Sequence, residues 1–251
     1  MAETVVLALF VIATFLGAFV AGVAGFAFGL IAAAIWLHIL TPLQTATMIV
    51  AYGLIVQGYA VWKLRRALDW RRLLPLMIGG QIGVPLGIEL LRWLPASTMR
   101  AVIGVVLIAF SLNALMRPKL PPMVKAAAVA DGGAGVVSGV VGGATGLAGI
   151  VPTIWSGLRG WNKDEQRAVF QPVGVSIFIG CALWLGSTGS FDRETLRLFA
   201  IGLPALLIGS WAGLKVYGRL DEAAFRRIVL ILLLVSGVAL VVPSIVAGPR
   251  S

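Results

Sequence analysis

Apolar residues run along this chain in long blocks rather than in strict alternation. The blocks fall at 5–37, 42–62, 73–94, 99–116, 126–158, 168–187, 195–214 and 225–246, with most charged residues gathered between them. From Thr4 to Trp62 there is no Asp, Glu, Lys or Arg, and His38 is the one imidazole. One bilayer crossing takes roughly 20 apolar residues, so the pattern predicts an all-α, polytopic transmembrane protein. A membrane barrel would instead show short segments of alternating polarity. Six blocks have the length of a single span. The blocks at 5–37 and 126–158 are too long for one ordinary span, and glycines interrupt both.

The glycine pattern occurs twice. Gly22-Val-Ala-Gly-Phe-Ala-Phe-Gly-Leu30 returns as Gly139-Val-Val-Gly-Gly-Ala-Thr-Gly-Leu147, identical at six of nine positions with an offset of 117. Gln44, Ala46, Gly58 and Trp62 match Gln166, Ala168, Gly180 and Trp184 at 122, and Gly83 and Gly87 match Gly209 and Gly213 at 126. The chain therefore reads as a duplication: a first transmembrane repeat at 1–116, a proline-rich basic linker at 117–125, and a second transmembrane repeat at 126–251. The Gly83–Gly87 and Gly209–Gly213 pairs suit close helix packing, within one protomer or in a homodimer.

Basic residues in the loops set the expected orientation. The loop at 63–72 carries five Lys and Arg and the loop at 92–100 two; in the second half the counts are three at 159–167, two at 192–197 and four at 215–227. The most basic loop of the first half thus matches the least basic of the second, as in an inverted-topology repeat. Inversion needs an odd number of net crossings per repeat. Each repeat is accordingly expected to hold a broken helical hairpin, at 5–37 and 126–158, followed by three transmembrane helices. The alternative is eight simple spans with kinked first helices.

Composition narrows the function. Charged residues make up 12% of the 251 residues, and mean hydropathy is +1.00. The net charge of +10 lies in short inter-block clusters, which points to topology and lipid headgroups rather than nucleic acid. Cys181 is the one cysteine, so neither an intrachain disulfide nor a cysteine metal cluster is expected. His38 has no nearby Cys or carboxylate partner in sequence and suits an interfacial role. The tryptophans, mostly near block ends, read as an interfacial belt. The first block is too long for the core of a cleavable signal peptide and reads as part of the mature protein. No phosphate-binding Gly-Lys-Ser/Thr motif is present. No catalytic residues, metal site or cofactor is expected.

A helix broken inside a membrane leaves free N–H groups at a half-helix N-terminus, and the helix dipole adds positive potential there. Duplicated breaks at equivalent places suit a secondary transporter whose two halves converge on one anion. The candidate substrate-binding residues are Gly25, Phe28, Gly29, Gly142, Gly143, Thr145, Gly146, Gln171 and Gln57. Gln81, Asn113 and Ser176 also place polar groups inside apolar blocks. Thr145 is expected to donate to the anion, so Thr145→Val should weaken binding and spare folding. Glu89 is the candidate for ion coupling, with proton and sodium both compatible. Arg159 and Arg167 are candidates for attracting the anion, and Arg100 and Arg226 for fixing helix ends at headgroups.

The stretch Gly-Val-Val-Gly-Gly-Ala-Thr-Gly-Leu-Ala-Gly-Ile-Val-Pro at 139–152 resembles the second-repeat motif of the sulfite exporter TauE/SafE family. The first copy, with Phe26 and Phe28, resembles a first-repeat variant of that family, and Arg167-Ala168 also fits. Phe26 and Ile35 depart from the commonest first-repeat pattern. The resemblance implies a permease for small sulfur-containing anions, sulfite or organic sulfonates, in a bacterial inner membrane. With the broken blocks, it gives an expected exporter working by alternating access in the lipid bilayer. A permease for another oxyanion, such as a carboxylate, and an anion channel are the competing readings.

Overall fold

The computed structural model describes residues 3–25, 28–65, 68–93, 95–116, 128–161, 163–187, 192–217, 219 and 221–246. The 117–125 linker, Phe26 and the side chains of Arg100, Asn113 and Arg226 lie outside the described residues. Among these residues ten helices follow in order: α1 (Glu3–Ala24), α2 (Phe28–Trp36), α3 (Pro42–Leu64), α4 (Trp70–Trp93), α5 (Ala96–Met116), α6 (Ala128–Thr145), α7 (Ile150–Leu158), α8 (Lys163–Ser187), α9 (Arg193–Tyr217) and α10 (Glu222–Val246). Among the described residues there is no strand. Five helical stretches among the described residues are long and apolar enough to cross a membrane: Glu3–Val23, Pro42–Trp62, Trp70–Leu90, Asp164–Ser187 and Arg193–Tyr217.

The two over-long blocks are hairpins rather than kinked rods. In the first, α2 runs back along α1. Gly17 lies against Phe28 near the turn. Phe10 stacks on Trp36 near the open end, with ring centroids 5.0 Å apart. In the second, Gly142 meets Ala148 by the turn, and Asp131 meets Trp155 further down. The short arms have nine residues each, or about 14 Å at 1.5 Å per residue.

Helices then pair across the two halves. α1 lies parallel to α9, and α4 lies parallel to α6. The reason is visible in the glycine spacing. Gly79, Gly83 and Gly87 of α4 interdigitate with Gly135, Gly139 and Gly143 of α6, so that the backbones meet with no side chain between them. A methyl group on Gly83 would overlap the Val136 carbonyl oxygen, and one on Gly139 the Gly80 oxygen. On the other pair, a methyl on Gly22 would stand 2.7 Å from the Ser210 oxygen, and one on Gly213 would overlap the Phe19 oxygen. The Gly83–Gly87 and Gly209–Gly213 pairs are therefore used inside the protomer. The opposite face of α4 carries Leu74, Ile78, Ile82, Leu86 and Leu90, all exposed at four-residue intervals. Such a ridge suits lipid rather than water.

These contacts correct the register of the repeat. Gly143 faces Val84 and Gly87 as Gly22 faces Ser210 and Gly213. With α4 and α9 offset by 126, the equivalent of Gly22 is Gly143, an offset of 121 rather than 117. Glycine recurs here every fourth residue, so a slip of one helical turn preserves most of the sequence match.

At the centre, α3 and α8 cross antiparallel: Gly53 abuts Phe178, and Gly174 abuts Gln57. An aromatic cluster of Phe10, Phe28, Trp36, Tyr52 and Phe199 ties α1, α2, α3 and α9 together. Tyr52 donates its hydroxyl to the Phe199 carbonyl at 2.8 Å. Trp36 is fully buried in this cluster, so it is a core residue and not a member of an interfacial belt. Trp62, Trp70, Trp93 and Trp211 are exposed.

Candidate functional site

Each hairpin turns on a glycine in the left-handed region. Gly25 has φ +89° and Gly146 φ +72°, values that an L side chain adopts only with strain. Both lie directly after the long arm, and each N–H donates to the carbonyl four residues back, Ala21 and Gly142, at 2.7 Å. The two long arms thus end alike.

The turns converge. A methyl on Gly29 would stand 2.6 Å from Leu147, and one on Gly146 would stand 2.9 Å from Ile49. Between them lies a cavity lined by the start of α2 (Phe28, Gly29, Leu30), the second turn (Gly146 to Ile150), Ile49, Gly53 and Gln57 of α3, and Phe178 of α8. It leaves about 10 Å³, room for roughly one water. The N-termini of both short arms border it. Phe28, Gly29, Gly146 and Gln57 are therefore brought together at one place.

The first turn is gripped by α8. Arg167 Nη2 donates to the Gly22 carbonyl at 3.3 Å, and Gln171 Nε2 donates to the Gly25 carbonyl at 3.2 Å. A methyl on Gly25 would stand 2.8 Å from Arg167 Nε. Arg167 is 8% exposed, its guanidinium lies 4.0 Å over the Tyr217 ring, and among the described residues no carboxylate pairs with it. Gln171 Oε1 and Gln57 Oε1 are buried without a hydrogen-bond partner. The positions matching Arg167 and Gln171 on α3 are Thr45 and Ile49, at the offset of 122. The second turn therefore meets no cation from α3, and the two halves of the site differ in charge.

The remaining residues singled out in the sequence fall elsewhere, and their places follow from local bonding. Gly143 packs on Val84 and Ile88 of α4, and Gly142 packs on Ile177 and Ala148, behind the cavity wall. Thr145 Oγ1 donates to the Val141 carbonyl at 2.6 Å and accepts from the Leu147 N–H at 3.1 Å. Its hydroxyl hydrogen is thus committed to the turn and is not presented to an anion. Thr145→Val is therefore expected to destabilise the protein by about 1–2 kcal/mol through the orphaned Leu147 N–H. A thermal midpoint unchanged from wild type would refute that role.

Glu89 is exposed on α4, accepts from Trp93 Nε1 at 2.8 Å and does not line the cavity. Gln81 donates to the Ser176 carbonyl at 2.6 Å and joins α4 to α8. His38 is exposed, and among the described residues no cluster of three His, Cys, Asp or Glu is able to hold a metal. Arg159 lies 3.7 Å from Asp131 Oδ2, which makes it half of an ion pair rather than a lone attractor of anions. Asp131 itself is 7% exposed. It is not among the residues expected from sequence, because it is a single acid in a block judged by average hydropathy. It lies in the first turn of α6, where the helix dipole favours an acid.

No curated protein and no solved structure matches the chain. A family model does, over residues 9–240. The match spans both hairpins, the crossing of α3 with α8 and the whole cavity wall. This chain belongs to the sulfite exporter TauE/SafE family.

Proposed function

We propose that this chain is a secondary transporter that exports a small sulfur-containing oxyanion, sulfite or an organic sulfonate, by alternating access around the cavity between its two hairpin turns. The observation that carries the reading is the convergence of both turns, each with a short-arm N-terminus, on one cavity with Gln57 in its wall. Half-helix N-termini offer N–H donors and positive potential to an anion without a permanent charge at the site. Gln57 adds amide donors, and the buried guanidinium of Arg167 lies beside the first turn. A cavity of about 10 Å³ is too small for a sulfur oxyanion, so loading needs the hairpins to part.

Two inverted repeats complete the proposal. The antiparallel crossing of the equivalent helices α3 and α8 supports them, since a two-fold axis that exchanges antiparallel helices lies perpendicular to both. The α1–α9 and α4–α6 pairs fit the same axis. A bacterial inner membrane is the proposed setting, because helical bundles of this kind are not the architecture of outer-membrane barrels.

The test is flux in proteoliposomes loaded with sulfite, methanesulfonate, acetate or oxalate. Saturable flux of sulfite or the sulfonate is expected. Flux of the carboxylates alone would move the substrate class, and non-saturating flux would favour a channel. Gln57→Leu is expected to lower sulfite flux about tenfold or more while leaving the thermal midpoint near wild type. Its carbonyl oxygen has no partner to lose, so the apolar replacement is cheap for the fold. Wild-type flux from that variant would remove Gln57 from the site.

A further inference from the structure

The duplication lets the two sides of the site be compared position by position. A methyl on Gly25 would stand 2.8 Å from Arg167 Nε and 3.0 Å from Gln171 Nε2. A methyl on Gly146, its equivalent at the offset of 121, would stand 2.9 Å from Ile49 Cγ2 and 3.0 Å from Ile49 Cβ. Ile49 is the α3 counterpart of Gln171. Both glycines are left-handed at the ends of equivalent helices, so the contrast lies in the side chains. One turn meets nitrogen donors, and the other meets hydrocarbon.

The same gradient runs along α8. Arg167, Gln171, Gly174 and Phe178 follow at intervals of four, three and four residues, which places them on one face. Gln57 Oε1 lies against Gly174, and Phe178 packs on Gly53. The face thus passes from a guanidinium through two amides to a phenyl ring. The cavity lies toward the apolar end, where Ile49, Leu147, Ile150 and Phe178 line it. That end holds no second cation among the described residues. α3 carries no charge between Pro42 and Trp62, α7 carries none, and Arg159 faces Asp131. A substrate with a charge at each end would leave one of them against hydrocarbon, unpartnered and costly. A bare oxyanion would gain nothing from the apolar walls. An alkyl chain gains from burial there.

We infer that the preferred substrate is a monoanionic, short-chain alkanesulfonate, with its sulfonate held by Arg167, Gln171 and Gln57 and its chain directed toward Ile49, Leu147 and Ile150. Gln171 Nε2 gives one hydrogen to the Gly25 carbonyl and keeps a second for a sulfonate oxygen. Sulfite engages the polar end alone. The hairpins part to admit the chain, and the apolar walls close on it. The inference rests on the transport reading above and names the substrate within it.

The experiment uses the full chain in proteoliposomes. It reads the apparent KM for methane-, ethane- and propanesulfonate, for sulfite, and for sulfoacetate, which carries a carboxylate at its far end. Apparent KM is expected to fall about fourfold with each added methylene, the worth of one buried CH2. It is expected to be at least about tenfold higher for sulfoacetate than for propanesulfonate, because the carboxylate has no partner at the apolar end. Ile49→Gln gives the second turn the amide that the first already has. In protein whose thermal midpoint shows it folded, that variant is expected to narrow the ratio of sulfoacetate to propanesulfonate KM about fivefold or more. The wild-type series decides alone where the variant does not fold. A flat alkyl series, a preference for sulfite or sulfoacetate over propanesulfonate, or an unchanged ratio in folded Ile49→Gln overturns the inference and leaves transport standing. Absence of flux for every sulfur anion overturns the transport reading itself.

Discussion

Gly139→Ala is expected to destabilise the protein by about 3 kcal/mol, near the top of the usual range for overpacking, while Gly133→Ala six residues earlier is expected to stabilise it by about 0.5–1 kcal/mol. The two substitutions are chemically identical and lie in the same helix. They differ in what the new methyl group meets. At Gly139 it overlaps the Gly80 carbonyl oxygen and stands 2.9 Å from the Gly83 Cα, whereas at Gly133 nothing lies within 4 Å. Backbone has no rotamer to yield, so α4 and α6 must separate along their whole glycine seam. The parting would open the Gly83–Val136 and Gly87–Val140 approaches as well. For a chain of this size, 3 kcal/mol corresponds to a fall of about 6–12 °C in thermal midpoint. Unfolding curves of the two purified variants check the pair. Equal midpoints would mean that α4 and α6 do not meet backbone to backbone.

Replacing Arg167 by Met is expected to reduce anion flux about a hundredfold, with Arg167→Lys recovering little of it. The magnitude is that of one hydrogen bond to a charged group, roughly 2–3 kcal/mol, lost from the substrate side. The Arg167 guanidinium makes two contacts that set its plane: it donates to the Gly22 carbonyl and lies over the Tyr217 ring. A lysine ammonium has neither the planar face nor the forked donors to keep both. Among the described residues no carboxylate pairs with Arg167, which suits an anionic ligand. Met keeps most of the volume, so the packing around Gly25 survives. Flux and thermal midpoint measured on the same preparation separate the two effects. Wild-type flux from Arg167→Met would remove the guanidinium from the anion site.

Much of the site is legible in the residues, and what is not has physical causes. The breaks at Gly25 and Gly146 and the inward place of Gln57 follow from glycine in apolar blocks and from an amide far from any loop. The roles of individual glycines do not follow, because a glycine that admits a turn and a glycine that admits a neighbouring helix look the same in one dimension. Gly142, Gly143 and Gly146 lie within one helical turn and a quarter, yet they face α8, α4 and the cavity respectively. The repeat register slips by four residues for the same reason. The hydroxyl of Thr145 chooses between a ligand and its own backbone by geometry alone, and here the Val141 carbonyl is nearer. Trp36 reads as interfacial from its position in its block, but the reversal of the chain at Gly25 folds it back against Phe10.

The exchange of partners between halves also has a consequence for how the chain is made. α1 emerges from the ribosome well before the helix it lies against, α9, which begins at Arg193. At roughly 5–20 residues per second, α1 waits on the order of 10–40 s with its Gly22 seam uncovered. During that time α4 is in the same position, waiting for α6. The nascent protein therefore depends on the insertion machinery, or on lipid, to shield two bare backbone stripes, that of α4 until α6 is made and that of α1 until α9 is made. A ribosome stalled before α9 would leave an inserted but unlatched first half, a natural substrate for membrane proteases.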